Sequence, residues 1–261
     1  MKRQAQVPAL AMDSHGLTVK GRSRAHNEDA ILWPPLVGCA EDGVRCCLVA
    51  LADGVGGGPL GEVASATAAA SLRESFGTRV TEPADTLRAS FASANAAVLK
   101  MARTEGAEGA ATTLVALLVT GRNAWVANVG DSRAYLVREG EAVQITLDHL
   151  VSPRHVSPSG ARSSVLTRAI GTRSGARVDI FGPIELREYD SLVLCSDGLH
   201  QAVESHDIVD AVSRSEARRT ATELCGRAQT RGGDDVSVVV CKLLPPLGHG
   251  FRAPDRRRSS P

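Results

Sequence analysis

Apolar residues fall along this chain in two kinds of run. The first kind is short and nearly continuous: VRCCLVALAD (44–53), DSLVLCSD (190–197) and DVSVVVCKLL (235–244). Length and composition predict buried strands there. The second kind is alanine-rich, with apolar residues every three or four positions. Residues 60–77 and 83–103 are of this kind, and Leu87, Phe91, Ala94 and Val98 share one helical face. Residues 204–230 predict two further helices. TTLVALLVT, AWVANVG and RAYLVRE, within 112–139, read as three short strands separated by Gly-Arg-Asn and Gly-Asp-Ser turns, hence an antiparallel meander. EAVQITL follows a Glu-Gly turn as another strand. Strands that pair with neighbours, with helices in separate blocks, predict an α+β fold rather than a doubly wound parallel sheet.

The ends read differently. Residues 1–15 predict a loose arm, and 245–261, rich in Pro, Gly, Arg and Ser, a disordered basic tail. Between them, 16–244 reads as one folded body without a linker. Hydrophobic residues make up 43% of the 261, enough for a sizeable core, but aromatics are only 3%, so that core must be aliphatic. The net charge of +1 argues against a nucleic-acid binder. No apolar run approaches the ~20 residues that cross a membrane, and the N-terminus lacks the apolar stretch of a signal peptide. Cys39, Cys46, Cys47, Cys195, Cys225 and Cys241 show neither zinc-ligand nor disulfide-framework spacing. Free thiols in a reducing compartment, and hence a cytoplasmic protein, are expected.

The candidate chemistry lies in where the acids sit. Asp53 ends a strand and is followed by Gly-Val-Gly-Gly-Gly; Asp197 ends another and is followed by Gly198. Asp131 follows a third. Asp234 and Asp235 open the last strand, and Glu28 and Asp29 flank the start of an apolar run. Carboxylates at strand ends can converge at one sheet edge, where they repel unless cations lie between them. Hard divalent cations take such oxygen donors, including carbonyls beside glycine. Each motif alone has a plainer meaning. Asp-Gly is first a turn signal, Gly130-Asp131-Ser132 could be a hairpin turn, and Asn27-Glu28-Asp29 a solvated loop. DGVGGG lacks the Lys-Ser/Thr of a P-loop. The joint order of the motifs is what carries the metal reading.

In that order, RAHNED (24–29), ALADGVGGGPLGEVAS (50–65), ATTLVALL (111–118), VANVGDSRAYLVREGEAVQITLDH (126–149), LTRAIGT (166–172), LVLCSDGL (192–199) and GGDDVSVVV (232–240) resemble the metal-dependent protein phosphatases of type 2C, in their bacterial single-domain form. The resemblance runs from about residue 17 to 243. It implies a four-layer αββα sandwich, two antiparallel sheets flanked by helices, with the active site at one edge between the sheets. It implies a phosphoserine/phosphothreonine phosphatase that uses Mn²⁺ or Mg²⁺, two core ions and a possible third, and attacks phosphorus with a metal-bridging hydroxide. Carried over residue by residue, Asp53 bridges the core ions, Gly54 offers a carbonyl to one, and Asp197 and Asp234 complete the other. Glu28 holds metal-bound water, Asp29 supports that shell, and Asp131 with Asp197 holds the third ion. Most of these protein–metal contacts go through water. Arg24 matches the phosphate-clamping arginine. Phosphorylated proteins are the implied partners, including a cognate Ser/Thr kinase and its substrates, with neither nucleic acid nor membrane and a monomeric state.

This sequence departs from the family pattern in places. Asp235 stands where asparagine is usual, and its extra charge could tighten metal binding or misalign Asp234. No histidine accompanies DGVGG as a proposed general acid. His149 reads as structural. The flap, roughly 150–165, is short and carries Arg154, His155 and Arg162, which could meet acidic or phosphorylated segments or simply be solvated. A pseudophosphatase or phosphoprotein-binding module is the alternative, which loss of acids would mark; here all of them are present.

Overall fold

Alternate residues of the long apolar runs point opposite ways, and in this fold both ways lead to a core. The computed structural model describes residues 10–55, 60–77, 79–151, 165–172 and 177–246. In chain order the elements are β1 (Ala11–Val19), β2 (Asp29–Ala40), β3 (Arg45–Asp53), α1 (Gly61–Ser75), β4 (Arg79–Val80), α2 (Pro83–Thr104), β5 (Leu114–Thr120), β6 (Asn123–Val129), β7 (Arg133–Arg138), β8 (Glu141–Gln144), β9 (Leu150–Val151), β10 (Val165–Leu166), β11 (Asp179–Glu185), β12 (Ser191–Cys195), α3 (Asp197–His200), α4 (Ser205–Arg214), α5 (Ala217–Arg231) and β13 (Val236–Leu244). One sheet runs β1-β13-β12-β7-β8 and the other β11-β6-β5-β3-β2-β4, with β9 and β10 as a separate pair. Pairing is antiparallel apart from two residues of β2 against β4.

Three apolar clusters make the four layers. Between the sheets, Val49, Leu51, Val115 and Leu117 pack against Leu192, Leu194, Val239 and Cys241. The alternate residues Leu48, Ala50, Leu114 and Ala116 face outward onto α1 and α2, through Ala64, Ala68, Leu87 and Phe91. On the other side Val193, Cys195, Val238 and Val240 face α4 and α5, through Ile208, Ala211, Ala221 and Leu224. Strands covered on both faces must be apolar at consecutive positions, hence the unbroken runs. Abundant alanine lets the helices lie close to the sheets. Among the described residues, no helix is long and apolar enough to cross a membrane.

Two expectations are corrected. The meander over 112–139 breaks after its second strand: β5 and β6 pair, but β7 belongs to the other sheet, beside β12. The chain changes sheets at Gly130–Ser132. Gly130 has φ +113°, and a Cβ there would lie 2.6 Å from the Thr113 side chain, so the crossing needs glycine. The arm also ends sooner than residue 15, because β1 pairs with β13 from Ala11 onward. Its polar residues hid it. Asp13, for example, accepts a hydrogen bond from the Ala217 amide at the start of α5 (2.8 Å). Residues 1–9, most of the 245–261 tail and Arg154, His155 and Arg162 of the flap lie outside the described residues.

Away from the sheet ends, Asp190 is 2% exposed and takes the Arg138 fork on both oxygens (2.8 and 2.6 Å) together with the Arg187 amide (2.7 Å). Truncation would leave those donors unpaired. Asp190→Ala is expected to cost ~3 kcal/mol, a drop of about 6–12 °C in Tm. Thermal unfolding would show it, and a loss below ~1 °C would mean that the pair contributes nothing.

Candidate active site

At the end of the sandwich where β3, β6 and β12 finish and β2, β7 and β13 begin, five aspartates converge. Asp29 and Asp53 face each other across the β2–β3 ladder. The Asp53 backbone is pinned: its amide donates to the Thr113 hydroxyl (3.0 Å), and its carbonyl accepts from the Thr113 amide (2.8 Å) and the Thr112 hydroxyl (2.9 Å). Asp131 sits in the turn between sheets. Asp197 opens the short helix α3 directly after β12. Asp234 lies just before β13. Gly54 donates its amide to the Glu28 carbonyl (2.9 Å), and a Cβ on it would come within 2.4 Å of the Gly61 carbonyl oxygen, so only glycine lets these segments meet.

Crowding shows in the acid–base balance. Burial, then repulsion from Asp29, Asp197, Asp131 and Asp234, pushes the Asp53 carboxyl well above its ordinary range. Asp53 still touches the cleft, but protein surrounds it closely enough that desolvation comes first. Burial raises Asp29 to about 7 against the opposing hydroxyls of Ser237 and Ser196. Burial and the Asp197 charge raise Asp131 to about 6. Asp197 rises through burial and Asp234, and Glu28 through burial. One oxygen of Asp29, Oδ2, is buried without a hydrogen-bond partner. The donors are all hard oxygens, short of positive charge, which is the chemistry of a divalent-cation site. Among the described residues, no three acidic, histidine or cysteine side chains are arranged to hold an ion by themselves.

Arg24 is held by the acids. Its guanidinium forks onto Asp234 (2.6 and 2.9 Å) and reaches Glu28 with Nη1 (2.7 Å). The bond to Asp234 is the main reason its charge is held more firmly than usual. The resemblance implied a phosphate clamp at Arg24; the structure places that guanidinium on Asp234 and Glu28. Arg24 lines a cleft of about 350 Å³ with Asp53, Asp131 and Asp197, and Val55, Val165 and Leu166 supply its apolar wall. A larger cleft of about 680 Å³ lies behind α3, but its Arg133 and Arg231 are already paired with Asp148 and Asp207.

Two histidines brace the Asp131 turn. The Gly130 amide donates to His149 Nδ1 (3.0 Å), so Nε2 carries the proton and donates to Asp179 (3.0 Å). That bears out a structural reading of His149. His200, which the sequence reading passed over, donates from Nε2 to the Asp131 carbonyl (3.1 Å), and burial lowers its pKa to about 4. Its only signal was its place three residues after Asp197.

Known proteins resemble this arrangement. Residues 20–233 match the family model described as protein phosphatase 2C. The serine/threonine protein phosphatase PstP of Mycobacterium tuberculosis is 35% identical over 241 residues, 86% of this chain, though the chain spans only 44% of that relative's length. The serine/threonine phosphatase stp of Listeria welshimeri is 32% identical over 85% of this chain and 92% of its own. Among solved structures, the catalytic domain of the serine/threonine protein phosphatase PstP in complex with two manganese ions superposes with a TM-score of 0.73 at 31% identity, over 90% of this chain and 99% of that one. With its sandwich, its acid-lined end and these relatives, the chain belongs to the protein phosphatase 2C family.

Proposed function

We propose that this chain is a metal-dependent protein serine/threonine phosphatase. The observation that carries the reading is the convergence of five aspartates, short of positive charge, at the cleft that Arg24 borders. When bound, two Mn²⁺ or Mg²⁺ ions would activate water as a nucleophile and offset phosphoryl charge. Asp53, at the centre of the cluster, is placed to face both ions, with the Gly54 carbonyl beside it. Asp197 and Asp234 would complete one site, and Glu28 and Asp29 would orient its water. Asp131 and Asp197, which repel each other here, would share a third, weaker ion. Arg24 would exchange Asp234 for substrate phosphate, as a fork suited to either anion. Substrates would be phosphoserine and phosphothreonine proteins, among them a cognate kinase and its targets. A monomer in the cytoplasm is part of the same reading, and the six free cysteines support a reducing compartment. A phosphoprotein-binding module without catalysis is less well supported, because the acids are retained.

Phosphate release from a phosphothreonine peptide should be absent in EDTA and return with Mn²⁺. Full activity in chelator would overturn the mechanism. Hydrolysis of an aryl phosphate without the peptide would point to a small-molecule phosphatase.

A further inference from the structure

Asp235 is 4% exposed. Its Oδ1 accepts the Gly21 amide (2.8 Å) and its Oδ2 the Glu28 amide (2.9 Å). Those amides are the two ends of the loop that carries Arg24. We propose that Asp235 is a positioning residue, whose carboxylate staples both ends of the 21–28 loop and thereby sets the Arg24 guanidinium and the Glu28 carboxylate beside the acid cluster. The proposal rests on the phosphatase reading and assigns to Asp235 a role in holding substrate phosphate.

The geometry suits a carboxylate. Two amides on two different oxygens need two acceptors, and an asparagine side chain has one acceptor and one NH₂ donor. An asparagine in this position would turn its NH₂ toward one of the amides, in a place too buried for water to substitute. The extra charge at Asp235 is therefore absorbed by the loop and not spent on an ion.

Other contacts pack the loop against the segment that leads into β13. The Ser23 amide and hydroxyl both donate to the Gly233 carbonyl (3.0 and 2.6 Å). A Cβ on Gly21 would sit 2.3 Å from the Asp234 carbonyl carbon, so the backbones touch. The Asp235 amide donates to Asp234 Oδ1 (2.8 Å), the same oxygen that accepts Arg24 Nε. Asp235 thus reaches Arg24 by two routes, through the loop ends and through Asp234.

The test is Asp235→Asn in the full chain. By hydrogen exchange, the Gly21 and Glu28 amides should be protected in the wild type and lose protection in the variant. The KM for a phosphothreonine peptide should rise about tenfold, with kcat changed less. In an Arg24→Ala background, which raises KM by itself, the same substitution should add no further rise in KM, because its effect on phosphate binding passes through Arg24. An unchanged KM, or an equal rise in both backgrounds, overturns the proposal. Should the variant fail to fold, the wild-type exchange decides: fast exchange at both amides overturns the staple, and protection at both supports it. Wild-type protein inactive with Mn²⁺ would sink the phosphatase reading instead, and exchange would still judge the staple.

Discussion

Asp53→Asn is expected to abolish phosphatase activity and at the same time to stabilise the metal-free protein. Asp53 has four aspartates around it and no cation of its own, so its ionised form is what the cluster repels. The amide is nearly isosteric and removes that charge. The Thr112 and Thr113 bonds go to the Asp53 backbone and survive the change. In chelator the variant should therefore melt higher than the wild type, and the gain should grow with pH as the wild-type carboxyl ionises. With Mn²⁺ the order reverses, because the wild type alone can use the ions fully. If Asp53 is the central ligand proposed above, its loss should lower kcat/KM by about a thousandfold or more. Opposite signs of this kind mark a group kept for function at the expense of the fold. If Asp53 did no more than end β3, activity and stability would fall together, or neither would move. Melting curves with and without Mn²⁺, beside phosphopeptide kinetics, separate the two cases.

The acids were legible because strand ends are legible. A run of apolar residues followed by Asp-Gly places a carboxylate at a sheet edge, and Asp53 and Asp197 were readable that way. Period and propensity say nothing about which sheet a strand joins, so the crossing at Gly130 read as a hairpin turn. Only the clash of a Cβ with Thr113 shows why the chain passes there. Strand β11 was missed for a related reason. Gly182 and Pro183 interrupt its ladder with β6, and proline in a run argues against a strand, although β11 is an edge where proline is tolerated. Strand β2 carries Pro34 and Pro35 at a similar irregularity, between Leu32 and Leu36. The role of Asp235 could not be seen at all from its neighbours in sequence. Its partners are more than two hundred residues away, and a carboxylate next to a metal motif reads first as a ligand.

Metal binding should release protons, and the stability of the metal-free protein should fall as pH rises toward neutrality. Unfolded aspartate titrates near 3.9, whereas folded Asp29 titrates at about 7 and Asp131 at about 6, and Asp53 lies well above its ordinary value. A carboxyl with a raised folded pKa binds more protons folded than unfolded. Its contribution to stability is full below ~4 and is lost as pH rises through the folded value. Three units at one buried group correspond to ~4 kcal/mol at most, and coupling within the cluster makes the sum less than additive. His200 works the other way: its pKa is lowered to about 4, so it favours the folded state increasingly between pH 4 and 6.5. Asp179 and Asp207 have lowered values, and their changes fall below pH 4. The window from pH 6.5 to 7.5 therefore isolates the acid cluster, because it also stops short of the cysteine thiols, which burial raises. There, Tm in EDTA should drop by several degrees, and saturating Mn²⁺ should flatten or reverse the slope by favouring the ionised carboxylates. Calorimetric titration of Mn²⁺ at pH 6.5, in buffers of different ionisation enthalpy, should show at least one proton released per protein. His200, with its pKa near 4, is already neutral in the folded protein at pH 6.5 and drops out of that comparison. No proton release, together with a pH-independent Mn²⁺ affinity across the window, would mean that Asp29, Asp53 and Asp131 are already ionised and that burial does not govern their charge.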